Sequence, residues 1–258
     1  MSITVTIGVF LVEWDMPKLI FDIETVGVEF ESLDDKAKEL LLAYAESPEE
    51  IDGIKNGLGL SPLTGEVVAI GILNPDTDKG AVYYQAGKSK LEKSEENDVQ
   101  YIPCSDEKGV LKYFWELATH YDLFITFNGH AFDCPYLMIR SAVLKIKPTV
   151  NLMHNRYAKQ PHFDLLDVLS NFGAARWRKS LHMWCQAFDI ESPKADGITG
   201  DDVARLYKDK EYLKIAKYCF GDIIATGKLY DYWNKYLNVR KCYSYRLLFS
   251  RREYDLCR

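Results

Sequence analysis

The chain has 258 residues, 47% of them hydrophobic, with 32 basic and 38 acidic side chains and a formal charge of −6. That much apolar material supplies one sizeable core and excludes disorder over most of the length. The acidic balance weakens the case for a protein that coats nucleic acid with high affinity, but not for an enzyme with a small local groove.

Residues 1–17 read as a lead-in: the apolar stretch there lacks a positive n-region and a small-residue cleavage site. The domain proper is expected over 18–239. Lys18-Leu19-Ile20-Phe21 opens a short apolar run that reads as a buried strand. A helix is expected over roughly 34–46, capped by Ser32 or Asp34 and ended by Ser47-Pro48. A polar loop with Gly53, Gly57, Gly59 and Pro62 follows. Val67 to Leu73 reads as a second buried strand, and Ala81 to Gln85 returns as a third after the turn Asn74-Pro75-Asp76. Gly87 to Gln100 is charged and reads as a solvated loop. Ser105 is expected to cap a helix over 106–120, before a fourth strand, Leu123 to Phe127. Helices are expected over 133–143, 165–172 with Asp164 as cap, 177–188, 200–207 and 211–237. This order predicts an α/β fold, a mixed β-sheet flanked by α-helices. Residues 240–258 hold six Arg/Lys and two Asp/Glu and are set apart as a basic tail.

The six cysteines form no C-x-x-C pair and show no zinc-ligand spacing, so they read as reduced thiols, with the cytoplasm as the expected compartment. No apolar run reaches the roughly 18 residues of a membrane span.

Three carboxylate motifs carry the chemistry. In the first, Phe21-Asp22-Ile23-Glu24-Thr25, strand alternation puts Asp22 and Glu24 on one face and Ile23 on the other. Paired carboxylates at the end of a buried strand are costly unless a cation sits between them, and hard divalent cations prefer carboxylate oxygens. The second is Asn128-Gly129-His130-Ala131-Phe132-Asp133-Cys134-Pro135, an apolar strand running into a turn with Asp133 at a helix start. Asp133 is there either a metal-site carboxylate or an ordinary first-turn acid, and Asn128 a ligand contact or a turn residue. In the third, Tyr218 and Asp222 lie four apart on one face of an otherwise apolar helix. An Asp in such surroundings needs a partner or a metal.

Taken in this order, FDIET, N-x-x-x-F-D-x-P and Y-x-x-x-D resemble the DEDD (DnaQ-like) 3′–5′ exonucleases, in the branch whose last motif carries Tyr (DEDDy). The second motif is most similar to the proofreading domains of family-B DNA polymerases and their stand-alone relatives. The resemblance covers roughly residues 18–236, with His162-Phe163-Asp164-Leu165 and Tyr218-Cys219 inside it. It implies an RNase H-like fold and four metal-binding carboxylates, Asp22, Glu24, Asp133 and Asp222. Tyr218 would orient the attacking water. It also implies two Mg²⁺ or Mn²⁺ ions as cofactors, and the 3′ end of single-stranded DNA or RNA as substrate. In this scheme Asp22 bridges both ions, Glu24 and Asp222 complete the first site, and Asp133 serves the second.

Substrate contacts are expected from Asn128 and Phe132 beside Asp133, and from Arg176 and Arg178, which flank Trp177. Trp177 packs inward or stacks on a base, with the inward placement favoured. Asp164 reads as a helix cap rather than a ligand. His130, His154, His162 and His182 show no ligand spacing and read as core or surface residues. Two other functions fit parts of the pattern. Asp22 with Thr25 superficially resembles the D-x-D-x-T start of haloacid-dehalogenase phosphatases, but Glu24 stands where a second Asp is needed. A catalytically inactive nucleic-acid-binding module on the same fold is the other, and it leaves four costly carboxylates without a purpose.

Overall fold

The computed structural model describes residues 16–158, 160–177, 179–191 and 199–239. The basic tail, nearly all of the lead-in and Arg178 lie outside the described residues. In chain order the elements are β1 (Lys18–Gly27), α1 (Asp35–Leu42), α2 (Pro48–Asn56), β2 (Gly65–Asn74), β3 (Lys79–Gln85), β4 (Ser94–Glu96) and β5 (Val99–Cys104). They continue with α3 (Glu107–Ala118), β6 (Leu123–Thr126), α4 (Asp133–Val143), β7 (His162–Asp164), α5 (Leu165–Leu169), α6 (Leu181–Ala187), α7 (Val203–Lys208) and α8 (Tyr212–Tyr236).

The strands form one sheet in the order β4-β5-β3-β2-β1-β6-β7. β1 pairs antiparallel with β2 and β2 with β3, while β6 lies parallel to β1 and β7 parallel to β6. This is the mixed sheet with flanking helices that the element order predicts. β1 sits near the middle with apolar layers on both faces. Leu19, Phe21 and Ile23 join the layer under α3 and α4, and Ile20 and Val26 join the layer under α7 and α8. β2 is buried almost throughout, as expected of a strand covered on both sides.

Four local readings change. Ser47-Pro48 starts a helix instead of closing one: Ser47 accepts from the Glu50 amide, the Glu50 carboxylate receives the Ser47 amide, and Pro48 occupies the first turn. A proline lacks only an N–H that this position leaves unused, so the same dipeptide punctuates either end. The stretch read as a solvated loop holds the exposed β4 and the start of β5, whose Val99, Tyr101 and Cys104 are buried. Pro103 hid β5; it pairs with Tyr84 on one side and lies beyond the reach of β4 on the other, where its missing donor costs nothing. Asp106, not Ser105, caps α3 by accepting from the Gly109 amide at 2.9 Å. α6 begins at Leu181, four residues later than expected, and β7, three residues long, carries too little pattern to be seen in advance.

Candidate active site

α8 crosses the face of β1, β2 and β3 that carries Asp22 and Glu24. The close approach is set by what stands opposite the carboxylates. Asp22 pairs with Gly71 and Glu24 with Ala69, so no bulky cross-strand side chain intervenes. A Cβ on Gly71 would lie 2.2 Å from Ile223 Cδ1 and 3.1 Å from Cys219 Sγ. The Cys219 thiol donates to the Asp22 carbonyl at 3.6 Å, locking the helix to the strand at this level. Tyr218 and Asp222, four apart, are thereby delivered to the carboxylate pair.

Asp133 arrives from the other side of β1. β6 pairs with β1 only over Lys18 to Ile20, so the strand edge beyond is open, and Asp133 Oδ1 accepts from the Ile23 amide at 3.2 Å. Its carboxylate is 3% exposed, which separates it from an ordinary solvated first-turn acid. Arg140, two turns along α4, anchors this helix. It forms a two-pronged ion pair with Glu107 at 2.8 and 2.6 Å, and Glu107 also accepts from the Val67 amide.

The four acids act on one another. Burial is the largest cause lifting Asp22 well above the usual carboxylate range, followed by the charges of Asp133, Asp222 and Glu24. Glu24, 8% exposed, is raised by burial, then by Asp222 and Asp133. Burial pushes Asp133 up to about 7 against the lowering effect of its two backbone hydrogen bonds. Tyr218 is raised further above its ordinary value by burial, by the three nearby acids and by its hydrogen bond to Asp222. Among the described residues, then, the charges acting on Asp22 and Glu24 are all negative. Oxygens of Asp22 and Glu24 and the Cys219 sulfur lie within 4.8 Å of one another. This oxygen-rich donor set fits a hard divalent cation, which removes the mutual repulsion. Burial keeps the Cys219 thiol protonated, suiting it to packing rather than ligation.

Of the residues expected to touch substrate, Phe132 is half-buried, packed at 5.3 Å from the Tyr136 ring beside Asp133. Asn128 takes a left-handed turn conformation (φ 68°), and its amide is received by Asp164. Arg176 is exposed at the surface. Trp177 is 59% exposed and does not pack inward as favoured from sequence. Asp164 is the cap expected, and it does more: it accepts from the amides of Asn128, His130, Leu166 and Asp167, which ties the turn before α4 to the start of α5. Cys219 and the Glu107–Arg140 pair escaped the sequence reading. A lone cysteine on an apolar helix and two charges 33 residues apart offer no local signal.

The sheet order, with carboxylates along its central strand and a long helix crossing them, defines an RNase H-like fold. Among solved structures, the family B DNA polymerase from the hyperthermophilic archaeon Pyrobaculum calidifontis is similar, with a TM-score of 0.54 and 18% identity. The alignment covers 85% of this chain and 24% of the polymerase, so the chain spans about a quarter of that protein's length. Residues 67–241 match the family described as a predicted 3′–5′ exonuclease related to the exonuclease domain of PolB, and the chain belongs to that family. The matched stretch holds Asp133, Tyr218 and Asp222, while Asp22 and Glu24 precede it and reach the site through β1. No curated protein matches the chain. No described helix is long and apolar enough to cross a membrane.

Proposed function

We propose that this protein is a metal-dependent 3′–5′ exonuclease that removes nucleotides from the 3′ end of single-stranded nucleic acid, with DNA favoured, by two-metal-ion phosphodiester hydrolysis. The observation that carries the reading is the convergence of Asp22, Glu24, Asp133 and Asp222, from a strand and two helices, close enough that the charge of Asp222 raises the other three. These four carboxylates would hold two Mg²⁺ or Mn²⁺ ions. When bound, such ions neutralise the scissile phosphate and make water a better nucleophile at neutral pH.

The protein's own groups supply position. Tyr218 stays protonated at any physiological pH and donates its hydroxyl hydrogen to Asp222. Its oxygen keeps lone pairs to accept a hydrogen bond from the attacking water, so it orients that water and is no base. Asp133, fixed by the Ile23 amide and by the anchored α4, sets the second side of the site. Phe132, next to Asp133, and exposed Trp177 beside Arg176 offer faces on which unpaired terminal bases stack. Kinship with the exonuclease domain of PolB favours DNA.

The test is digestion of matched single-stranded DNA, single-stranded RNA and mismatched duplex, each labelled separately at the 5′ and 3′ ends, with Mg²⁺ or Mn²⁺. Release of 3′-terminal nucleotides first is expected from wild type, with a loss of roughly a thousandfold or more in Asp22→Asn, on the scale of removing a principal electrostatic group from a catalytic site. Full activity in Asp22→Asn would falsify the assignment.

A further inference from the structure

Three histidines from three separate segments share one partly buried site. His130 lies in the turn before α4, His154 in the loop before β7, and His162 opens β7. Their ring centroids are 4.4, 5.8 and 6.2 Å apart, and one nitrogen of each lies within 4.8 Å of those of the other two. The protonation pattern is set from outside the cluster. Asp167 Oδ2 lies 2.8 Å from His130 Nδ1, so in the neutral ring that nitrogen carries the hydrogen and Nε2 has the lone pair. The Ala158 carbonyl lies 3.3 Å from His154 Nε2, which leaves the lone pair on Nδ1. Both of these freed nitrogens, His130 Nε2 and His154 Nδ1, are buried and have no hydrogen-bond partner among the described residues. Unpaired buried polar atoms are costly, and two on facing rings call for a common partner.

We propose that His130, His154 and His162 form a second metal site, distinct from the carboxylate cluster, that takes a zinc-class divalent cation. Three imidazoles, with a carboxylate and a backbone carbonyl behind two of them, are the donor set and supporting shell of such an ion. Oxygen-preferring Mg²⁺ suits the carboxylates instead. His162 is fully buried, and its Nε2 lies 2.7 Å from the Thr126 hydroxyl. Bonds of about 2.0 Å to a tetrahedral ion draw the nitrogens to roughly 3.3 Å from one another, a closure within reach of His154 on its loop. The fourth position opens to a cavity of about 210 Å³ lined by Cys134, Leu152, Met153 and Arg156 together with His130 and His154. The role is structural: the ion pins the turn that leads into Asp133 to the loop around His154 and to β7.

Metal-free protein carrying Asp22→Asn, which disables the carboxylate cluster, is titrated with Co²⁺ and followed by visible absorption. One equivalent with the intense bands of tetrahedral Co²⁺ is expected, displaced by Zn²⁺, with Zn²⁺ raising the melting temperature. The bands should vanish in Asp22→Asn/His154→Ala and in Asp22→Asn/His154→Asn, with folding checked by circular dichroism. Weak octahedral bands in Asp22→Asn, or intense bands that survive loss of His154, overturn the site.

Discussion

The Asp133 carboxylate receives the amide of a strand residue 110 positions earlier as well as its own, and its burial there has a measurable consequence. Its carboxyl sits at about 7 in the metal-free fold, against an ordinary value near 4 in the unfolded chain. A group whose folded pKa is raised binds its proton more tightly in the native state. It therefore costs no stability below about pH 4, and the cost grows as pH rises through 7. Asp133→Asn removes that cost but keeps an oxygen for the Ile23 amide. In chelator, its melting temperature should gain on wild type as pH is raised from 5 to 8. His162, neutral in both proteins, cancels in the difference. A gap between the two proteins that shrinks with pH would refute the raised carboxyl. Tyr218→Phe keeps the ring and removes the hydroxyl that Asp222 holds. If Tyr218 orients water without taking its proton, kcat should fall by roughly 10- to 100-fold with KM little changed. Steady-state kinetics on a labelled oligonucleotide decides, and an unchanged kcat rejects the role.

At the scale of elements, the position of α8 decides whether the site exists. The helix lies close because Gly71 and Gly80 offer no Cβ where Ile223 and Phe220 pack. Gly71→Ala drives a methyl into Ile223 and Cys219. Overpacking of this kind costs about 1–3 kcal/mol, and here the displaced helix carries Tyr218 and Asp222. The expected result is a lower midpoint in urea together with a fall in activity larger than any change in folded fraction accounts for. Activity that merely tracks the folded fraction would show that the helix position is not critical. The expected span of α4, 133–143, matches the structure although no side chain caps its start, so its apolar stripe carries the signal. At α2 the proline opens a helix where the sequence predicts an end, and Pro103 with its charged neighbours masks β5.

For the whole molecule, the site is a joint between layers: β1 belongs to both apolar layers, α4 closes one face and α8 the other. A divalent cation that binds there stabilises only the folded form. Mn²⁺ should raise the melting temperature more at pH 8 than at pH 5, because protons compete for the same carboxylates, and the gain should shrink in Asp222→Asn. An equal gain in that variant would place the ion elsewhere. Legible along the chain were the strand alternation that puts Asp22 and Glu24 on one face, the helical spacing of Tyr218 and Asp222, and the order of motifs that resembles the DEDDy exonucleases. All of these follow from periods of two and 3.6, which act over a few residues. It is the folded chain that sets Asp133 against the open edge of β1, turns Trp177 outward and brings His130, His154 and His162 together. Those outcomes depend on where β6 ends and on which loops the sheet order brings together, and contacts between residues distant in the chain leave no periodic trace in it.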